Sequence, residues 1–458
     1  MENISTRKKV GMNLTEGPIL PLMIKFMLPM LIASFIQQLY NAVDMIVIGQ
    51  YVGPTGTVGV AQGGEAANMV TFIATALASA SQIYTAQLFG AKKTKEISET
   101  ITTAIVFTLC VSLFFAVICI VFCKPFLALI NCPEEALDQA SDYMIIVSLG
   151  LPFVMGYNTI CGLLRGLGES KRPMIFIAIS ATANIFMDLL LVAVFRLEAA
   201  GTAIATIIAQ MASCIAAFIY LYRKRTEFGI EFKKSSIRMN REHLRVLTRL
   251  GIPLMMSQAV IHVSMLVSHA LINRFGLVAS ATNSIGNKVQ ALINIIANSI
   301  SQSTSAMIAQ NLGARKHSRV RQIMKVCILT ALVFAIIPVT ISLTMPRAAF
   351  RIFTKDAEVI ELGVVFLHTC IIGFLCTPFL GVMNALTTGS GNVRLNFVAL
   401  TLDSLVFRIG LSLLLAYTFN LGIVGFFLGT MIARWVPVLI QSVYFFSGKW
   451  TKTSLIKD

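Results

Sequence analysis

Charged residues are scarce in this sequence. Only 13% of its 458 residues are Asp, Glu, Lys or Arg, about half the usual share in soluble globular proteins. Hydrophobic residues make up 56% of the chain, and the mean hydropathy is +0.79. Most of the chain must therefore face something other than water, which excludes an ordinary soluble globular fold.

Signals of a secreted protein or an enzyme are also missing. The nine cysteines form no CxxC pair and lie mostly within apolar runs, so we interpret them as small buried apolar residues. The polar N-terminal segment has no signal-peptide core, which predicts that the first apolar run is an uncleaved anchor. No HExxH motif, P-loop or paired nucleophile and base is present, which argues against a membrane-embedded enzyme.

Long apolar runs dominate the chain instead. A membrane-spanning helix needs about 20 mostly apolar residues, and twelve such runs are bounded by charged residues, glycine or proline. We number these spans 1 to 12 in chain order: 22–49, 64–88, 101–123, 143–164, 174–195, 201–222, 250–273, 289–311, 323–345, 361–386, 395–418 and 424–447. The sequence therefore predicts an all-α membrane protein.

Basic residues are distributed unevenly about these spans. The net charge is +16, and if the N-terminus is inside, 28 of the 37 lysines and arginines belong to inside loops and only seven to outside loops. This asymmetry is the positive-inside pattern of membrane proteins. It predicts that both termini are cytoplasmic, and it accounts for the positive charge without a nucleic-acid partner.

The sequence repeats itself at an offset of 223 residues. "AQLFGAKK" begins at Ala86 after span 2, and "AQNLGARK", with five of the eight residues identical, begins at Ala309 after span 8. The same offset relates Gly166 to Gly389 and Gly168 to Gly391. Because each half has six spans, both halves enter the membrane in the same orientation. The repeat predicts two six-helix bundles related by a pseudo-two-fold axis along the membrane normal.

This repeat also sets the predicted domain boundaries. We expect an N-terminal bundle at 1–225, a basic cytoplasmic linker at 226–249 and a C-terminal bundle at 250–458. Pro29 and Pro253 are one residue out of register with the offset. We expect these prolines to mark the starts of spans 1 and 7.

Each half carries a stripe of polar residues at helical spacing. The stripe of span 2 corresponds to that of span 8: Thr71, Thr75, Ser79 and Gln82 with Asn294, Asn298, Gln302 and Ser305. Small polar residues at this spacing can serve helix–helix packing. Alternatively, the two stripes are water-accessible walls of a substrate cavity, lined by Thr71, Thr75, Asn294 and Asn298.

An acidic residue lies within span 1. Asp44 is the only Asp, Glu, Lys or Arg between residues 26 and 64, and an aspartate at the bilayer centre costs about 2.5–3.5 kcal/mol. Gln37, Tyr40 and Asn41 share its helix face. Intramembrane acids usually face a bundle interior and mark ion or proton pathways.

Spans 5 and 6 repeat this pattern. Asn184 and Asp188 are four residues apart in span 5, and span 6 has its own polar stripe of Thr202, Thr206 and Gln210. Oxygens of Asp44, Asn184 and Asp188 could coordinate a hard cation, most simply Na⁺. The two acids could instead share a proton, because two like charges close together are unfavourable. A third interpretation is that they are hydrogen-bonded for packing alone.

The second half carries different charges. Spans 7 and 10 contain histidines, without the spacing of metal ligands: His262, His269 and His368. Three further charged residues lie within spans 11 and 12: Asp403, Arg408 and Arg434. We expect these three to form a structural ion pair or to line the cytoplasmic opening, with a role in coupling as the alternative. The predicted ion-handling chemistry therefore lies in the first half.

These motifs resemble those of the multidrug and toxic compound extrusion (MATE) transporters, over nearly the whole chain. The resemblance rests on "NAVDMIVIG" at 41–49, the two repeated loops, "RGLGESKRP" at 165–173, and Asn184-x-x-x-Asp188 followed by "AAGTAIAT" at 199–206. It implies two six-helix bundles around a central cavity, and export of organic cations or drugs in exchange for Na⁺ or H⁺.

The resemblance also implies roles for single residues. Asp44 would be the coupling acid of span 1, Tyr40 its neighbour, and Asn184 and Asp188 the span 5 pair, with Thr202 beside them. Further candidates line the first-half cavity: Gln37, Asn41, Asn158, Thr206 and Gln210. The NorM-type branch of the family keeps acids in spans 7 and 10. This chain lacks both, so it is more similar to the DinF-like branch, and a second-half Na⁺ site is in doubt.

The implied protein is a monomeric exporter in the cell membrane. We expect small-molecule drugs or toxic organic cations as its partners, in contact with membrane lipid, and no cofactor other than H⁺ or Na⁺ as coupling ion. The alternative is a lipid or oligosaccharide flippase of the same superfamily, which would normally line its cavity with several cationic residues. The acids of the first half favour cationic substrates, while the substrate and the choice between Na⁺ and H⁺ stay open.

Overall fold

A computed structural model describes residues 11–228, 239–453 and 455–456, without the side chains of residues 54, 55 and 66–68. Within these ranges the chain is helical and has no β-strand. The long helices, numbered in chain order, are α1 Ile19–Tyr51, α2 Pro54–Gly90, α3 Thr94–Val121, α4 Glu134–Gly166, α5 Lys171–Val194, α6 Glu198–Arg223, α7 Arg241–Asn273, α8 Leu277–Gly313, α9 His317–Thr344, α10 Ala357–Gly389, α11 Val393–Thr418 and α12 Gly422–Phe446. The all-α prediction is confirmed.

Eleven of these described helices are long and apolar enough to cross a membrane. The twelfth, α8, has 37 residues but is interrupted by Asn, Ser, Gln and one lysine, Lys288. Its length still exceeds what a span needs, since about 20 helical residues cross the hydrocarbon core. The protein is therefore a multi-pass membrane protein.

Among the described residues, three segments of π-helix interrupt the long helices, and they were not predicted from the sequence. Leu189–Val194 ends α5, while Leu402–Arg408 and Leu414–Thr418 lie in α11. By the 223-residue offset, Leu414–Thr418 corresponds to residues 191–195, which overlap the π-helix of α5. Residues 179–185 of α5, which correspond to Leu402–Arg408, are α-helical. Because π-helix is rare and frequent at functional sites, it marks both helices for attention.

The two halves follow the same backbone path. Corresponding helices α2 and α8 begin at Pro54 and Leu277 and have 37 residues each. The glycines before them both have positive φ angles, 85° and 99°, a conformation that glycine adopts without strain. Thr71 and Asn294 therefore occupy equivalent positions, as the repeat predicts.

Inter-helix contacts divide the chain into two compact units. The first contains Leu28–Gly251 and the described residues before Leu14; the second contains Leu14–Met27 and the described residues from Ile252 onward. The predicted division placed residues 14–27 in the first bundle instead. Part of its predicted linker, 229–238, lies outside the described residues, and residues 241–249 already belong to α7.

Pro29 and Pro253 do not begin spans 1 and 7, so that prediction is wrong. They lie inside the continuous helices α1 and α7, each next to the residue where the helix passes from one compact unit to the other. A proline inside a helix removes one backbone hydrogen bond and tends to bend the helix. The helices begin earlier because the preceding residues are anchored by side-chain hydrogen bonds.

In the second unit, this anchor is the repeated "AQNLGARK" loop. Gln310 Oε1 accepts a hydrogen bond from the backbone N–H of Leu14 at 3.0 Å, and the amide of Asn311 donates to the Leu14 carbonyl at 3.0 Å. Lys316 Nζ donates to the carbonyl of Thr15, also at 3.0 Å. These bonds satisfy buried backbone groups just before α1 begins.

In the first unit, the start of α7 is held in a comparable way. His243 is buried, and its Nδ1 lies 2.9 Å from the hydroxyl of Tyr84 while its Nε2 lies 3.3 Å from Glu99 Oε2. The amide of Asn240 also donates to Glu99 Oε2 at 2.7 Å. Residues directly before the predicted span 7 are thus ordered parts of the first unit.

Glycine permits close helix packing at matching places in both units. A Cβ at Gly166 of α4 would lie 2.7 Å from the carbonyl oxygen of Gln82, and one at Gly389 of α10 would lie 2.8 Å from that of Ser305. Both distances are too short for a real Cβ, so only glycine fits. The last members of the two polar stripes, Gln82 and Ser305, therefore lie at helix–helix contacts.

Candidate functional site

The two acids singled out from the sequence come together in the first unit. The carboxyl groups of Asp44 and Asp188 lie within hydrogen-bonding reach of each other. Asp44 is half-buried in the last two turns of α1, and Asp188 is fully buried at the point where α5 changes to π-helix. The residues are 144 positions apart, so only the fold can bring them together.

These carboxyl groups lack protein donors. Both oxygens of Asp188 and Oδ1 of Asp44 are buried, and no described residue hydrogen-bonds to them. An ionised carboxylate only accepts hydrogen bonds, so two of them cannot satisfy each other. Burying charge without compensation is costly. A proton shared by the pair, or a bound cation, would remove this cost.

Neutral polar groups that are buried without a hydrogen-bond partner among the described residues also lie on α5 and α6, which pack against each other. Asn184 is buried one turn before Asp188, and neither its amide oxygen nor its nitrogen has a hydrogen-bond partner among the described residues. Thr202 Oγ1 on α6 is also buried without such a partner. Gly201 allows this close approach, because a Cβ there would lie 3.3 Å from the carbonyl carbon of Leu191 in the π-helix. Oxygen atoms of this kind suit hard cations.

Two tyrosines accompany the acids. Tyr40, one turn before Asp44, is within hydrogen-bonding reach of Gln37 and interacts electrostatically with Asp44. Tyr143 of α4 interacts with Asp44, Tyr40 and Asp188. Tyr143 was not predicted from the sequence because, of the residues three or four positions away from it, only Gln139 is polar, so no polar stripe marks this face of α4.

The other first-half candidates are more dispersed. Thr206 and Gln210 of α6 are half-buried, each with a buried oxygen that no described residue hydrogen-bonds. Asn41 is exposed on α1. The amide of Asn158 donates to the Val154 carbonyl of its own helix at 2.8 Å, so part of its polarity is used locally.

The polar stripes of α2 and α8 are partly exposed. Thr71 and Asn294 are half-buried, while Thr75 and Asn298 are exposed. Thr75 Oγ1 donates to the Thr71 carbonyl at 2.9 Å, one turn earlier in α2. Because these four side chains are neither fully buried nor all exposed, their burial does not decide between a cavity wall and helix packing.

The second unit has a separate charged cluster. Arg408 donates to Asp403 at 2.8 Å within the first π-helix of α11, and both side chains are largely buried. Arg434 of α12 donates to Gln290 Oε1 at 3.0 Å and interacts electrostatically with both members of the pair. Asp403 and Arg408 thus form the expected ion pair, with Arg434 nearby but bonded to Gln290; whether the three residues line an opening or take part in coupling stays a prediction.

Comparison with known proteins identifies the family. The sequence profile of the MatE family matches residues 29–190 and 253–433. The chain belongs to the MATE family. Each matched block begins at one of the two helix prolines, Pro29 and Pro253, so the family profile follows the internal repeat.

Relatives of this MATE chain carry names that refer to multidrug resistance or multidrug export. It is 24% identical over 439 residues to the "Probable multidrug resistance protein YoeA" of Bacillus subtilis, covering 94% of each chain. It is 24% identical over 398 residues to the "Multidrug export protein MepA" of Staphylococcus haemolyticus, covering 82% of this chain and 83% of that one. The resemblance inferred from the sequence is therefore confirmed, and the family is one of transporters.

A solved structure also has this fold. A crystal structure of a MATE protein in the bent conformation superposes with a TM-score of 0.91 at 19% identity, covering 99% of this chain and all of that chain. Identity this low supports the fold alone. The predicted fold class, an all-α membrane protein of two six-helix bundles, is the fold of MATE transporters.

Proposed function

We propose that this MATE protein is a secondary active exporter that moves organic, mostly cationic and amphipathic compounds in exchange for H⁺ or Na⁺. The observation that supports this proposal is the pair of Asp44 and Asp188, within reach of each other and without protein donors to their buried oxygens. Carboxylates in a membrane protein are retained where they handle ions or protons. Relatives named for multidrug resistance and export favour drugs as substrates.

Changes in the charge of this pair would couple ion movement to drug movement. A ligand shifts a conformational equilibrium only if it binds the two states with different affinity. The bare pair is costly in a buried site, and a proton or Na⁺ neutralises part of its charge. Binding and release of that cation would therefore change the relative stability of the inward-open and outward-open states.

Both cations fit the chemistry of the site. A proton would lie between the carboxyl groups of Asp44 and Asp188. Na⁺ would take oxygens of the same two acids and of Asn184, while Thr202 could supply a hydroxyl oxygen. Tyr40 and Tyr143 would orient the acids. No other cofactor is part of this proposal.

The proposed location is the plasma membrane, with a monomer as the working unit and both termini in the cytoplasm. The distribution of Lys and Arg supports this orientation, because the larger share belongs to one set of loops. A protein so placed would have the first-half loop "AQLFGAKK" and its repeat on the cytoplasmic side.

Transport by the purified protein in liposomes tests the proposal directly. A fluorescent organic cation is loaded, and a pH gradient and an Na⁺ gradient are imposed separately at the same membrane potential. We expect one gradient to drive efflux and the other to have little effect, which identifies the coupling ion. Protein-free liposomes are the control. Efflux that ignores both gradients, or transport of lipid in place of the cation, would contradict the proposal and favour a flippase.

Cysteine labelling tests the proposed substrate cavity. Cysteine at Thr71, Thr75, Asn294 or Asn298 should react with a membrane-impermeant thiol reagent, in a variant from which the exposed Cys110 has been removed. Cysteine at the exposed apolar position Val333 serves as control and should react less, because a lipid environment excludes the reagent. Protection of all four stripe positions in every transport state would favour helix packing.

A further inference from the structure

The second unit contains an apolar cavity that the proposed ion coupling does not use. It has a volume of about 170 Å³ and lies among α8, α9 and α10. All but one of its lining side chains are hydrocarbon or glycine, among them Ile300, Phe334, Ala335 and Phe374. The exception is Thr377, whose hydroxyl donates to the Gly373 carbonyl of its own helix at 2.8 Å. The wall therefore offers little hydrogen bonding to water.

Two prolines contribute to this cavity. Pro338 lies inside α9 and Pro378 inside α10, and both side chains line the cavity. A proline ring is compact and adds no flexible side chain that could fill the space. It also interrupts the helical hydrogen bonds and tends to bend the helix.

Large side chains stand at the corresponding positions of the first unit. The 223-residue offset relates Pro338 to Phe115 and Pro378 to Met155. Both Phe115 and Met155 pack in a hydrophobic core with residues of α2, including Ala74 and Leu77. These two α2 residues correspond to the cavity-lining Ala297 and Ile300, so equivalent positions belong to a hydrophobic core in one unit and line a cavity in the other.

The cavity can be entered through apolar side chains. Leu292, Ile337 and Ile341 line it and are 51%, 54% and 42% exposed. Ile337 and Ile341 belong to α9, a helix apolar enough to cross the membrane. Contact with such residues offers no favourable free energy to a hydrated ion, whereas a hydrocarbon group is stabilised by burying its apolar surface against them. An apolar cavity of about 150 Å³ in another protein stays dry and binds benzene.

We propose that this cavity is a binding site for a compact hydrocarbon group, a ring of benzene size or the end of an alkyl chain, that enters from the lipid phase. Such a group can belong to a membrane lipid or to a transported amphipathic compound, and the chemistry of recognition is the same. Burial of its apolar surface supplies the affinity. This proposal is independent of how the protein couples transport to ions.

Anomalous diffraction from crystals soaked in bromobenzene tests this site. We expect a bromine peak among α8, α9 and α10 in the unaltered protein. Ala335→Leu, which adds bulk at a buried lining position, should abolish the peak. Val333→Leu is the matched control: the residue lies on the same helix, is 64% exposed and does not line the cavity, so the peak should remain.

A second filling variant guards against misfolding of the first. A Cβ at Gly381 of α10 would approach Ala297 and Ser301 only to 3.8 Å, an ordinary contact distance. Gly381 lines the cavity and has room for a Cβ, so we expect Gly381→Leu to add bulk there and also to abolish the bromine peak, with its folding checked by the unfolding midpoint. No peak in the unaltered protein, or a peak that survives in both filled variants, would overturn the proposal.

A second arm of the same experiment identifies the source of the hydrocarbon group. Crystals are grown with a phospholipid whose acyl chains are brominated at their ends, without bromobenzene. A bromine peak in the cavity, lost in Gly381→Leu, would assign the occupant as a lipid chain. A peak with bromobenzene but not with this lipid would assign the site to small ring-bearing compounds. Absence of both peaks would rule out the site.

Discussion

The first and second units repeat one helical framework but use its interior differently. Matching glycines, Gly166 and Gly389, allow the same close packing of two helices. In the first unit, the interior contains the acids Asp44 and Asp188. In the second unit, the buried Asp403 is paired with Arg408, and an apolar cavity lies among α8, α9 and α10. Duplication of a fold thus preserves backbone contacts, while side chains at equivalent positions can change chemistry.

This difference leads first to a prediction about transport. Asp44→Asn and Asp188→Asn should each fold yet reduce gradient-driven efflux to the level of protein-free liposomes, because a neutral amide cannot gain or lose the charge that couples ion binding to conformation. The double variant should be little worse than either single variant, since both residues act on one site. Full ion-driven efflux by the double variant would remove the proposed role of the pair.

The ion pair of the second unit should behave in the opposite way. Asp403→Asn leaves the largely buried Arg408 without its acid, and breaking a buried pair of this kind typically costs about 3–5 kcal/mol. Unfolding followed by denaturant titration should detect this loss. Replacing both partners, as Asp403→Leu with Arg408→Met, should cost less and leave ion coupling intact. If this double variant lost coupling, the separation of roles between the units would be wrong.

The matching glycines should be equally sensitive to substitution. Gly166→Ala and Gly389→Ala each force a Cβ against a carbonyl oxygen less than 3 Å away. Overpacking of this kind costs about 1–3 kcal/mol, and we expect similar decreases in the unfolding midpoint for both variants. Gly410→Ala is a control, because a Cβ there would meet no heavy atom within 4 Å. A large difference between the unfolding midpoints of Gly166→Ala and Gly389→Ala would contradict the expectation that the two helix contacts are equally close-packed.

The smallest expected effect concerns a polar contact found only in the first unit. Thr108 and Thr159 are buried with their hydroxyl oxygens 3.0 Å apart; the offset relates them to Ala331 and Val382. Thr159→Val alone leaves one buried hydroxyl without this partner, at a cost of about 1–3 kcal/mol. Changing both, to Ala and Val, should be nearly neutral. The unfolding midpoints of these two variants, compared with that of the unaltered protein, measure the difference, and a double variant worse than the single one would contradict this account.

Much of the architecture could be predicted because its signals are local. Apolar runs long enough to span a bilayer, the excess of Lys and Arg in one set of loops, and the repeat all depend on residues near each other in the chain. Asp44 stood out for the same reason, since a lone acid in an apolar run is visible without a structure. The start of α7 was placed too late because its first turn, Arg241 to Leu244, is mostly polar and is held by contacts with distant residues.

The composition and order of residues alone determine that this protein is helical, lies in a membrane and contains two similar halves, because hydrophobic length and helical spacing are properties of continuous segments. Contacts between distant segments depend on the folded chain. The approach of Asp44 to Asp188, with Tyr143 beside them, brings together residues of α1, α4 and α5. Nothing in the linear spacing of residues marks the π-helix after Asp188. The cavity likewise lies where three helices meet, with Pro338 and Pro378 at the positions that Phe115 and Met155 occupy in the other unit. Volume and distance between helices are set by three-dimensional packing, which the linear spacing of residues does not encode.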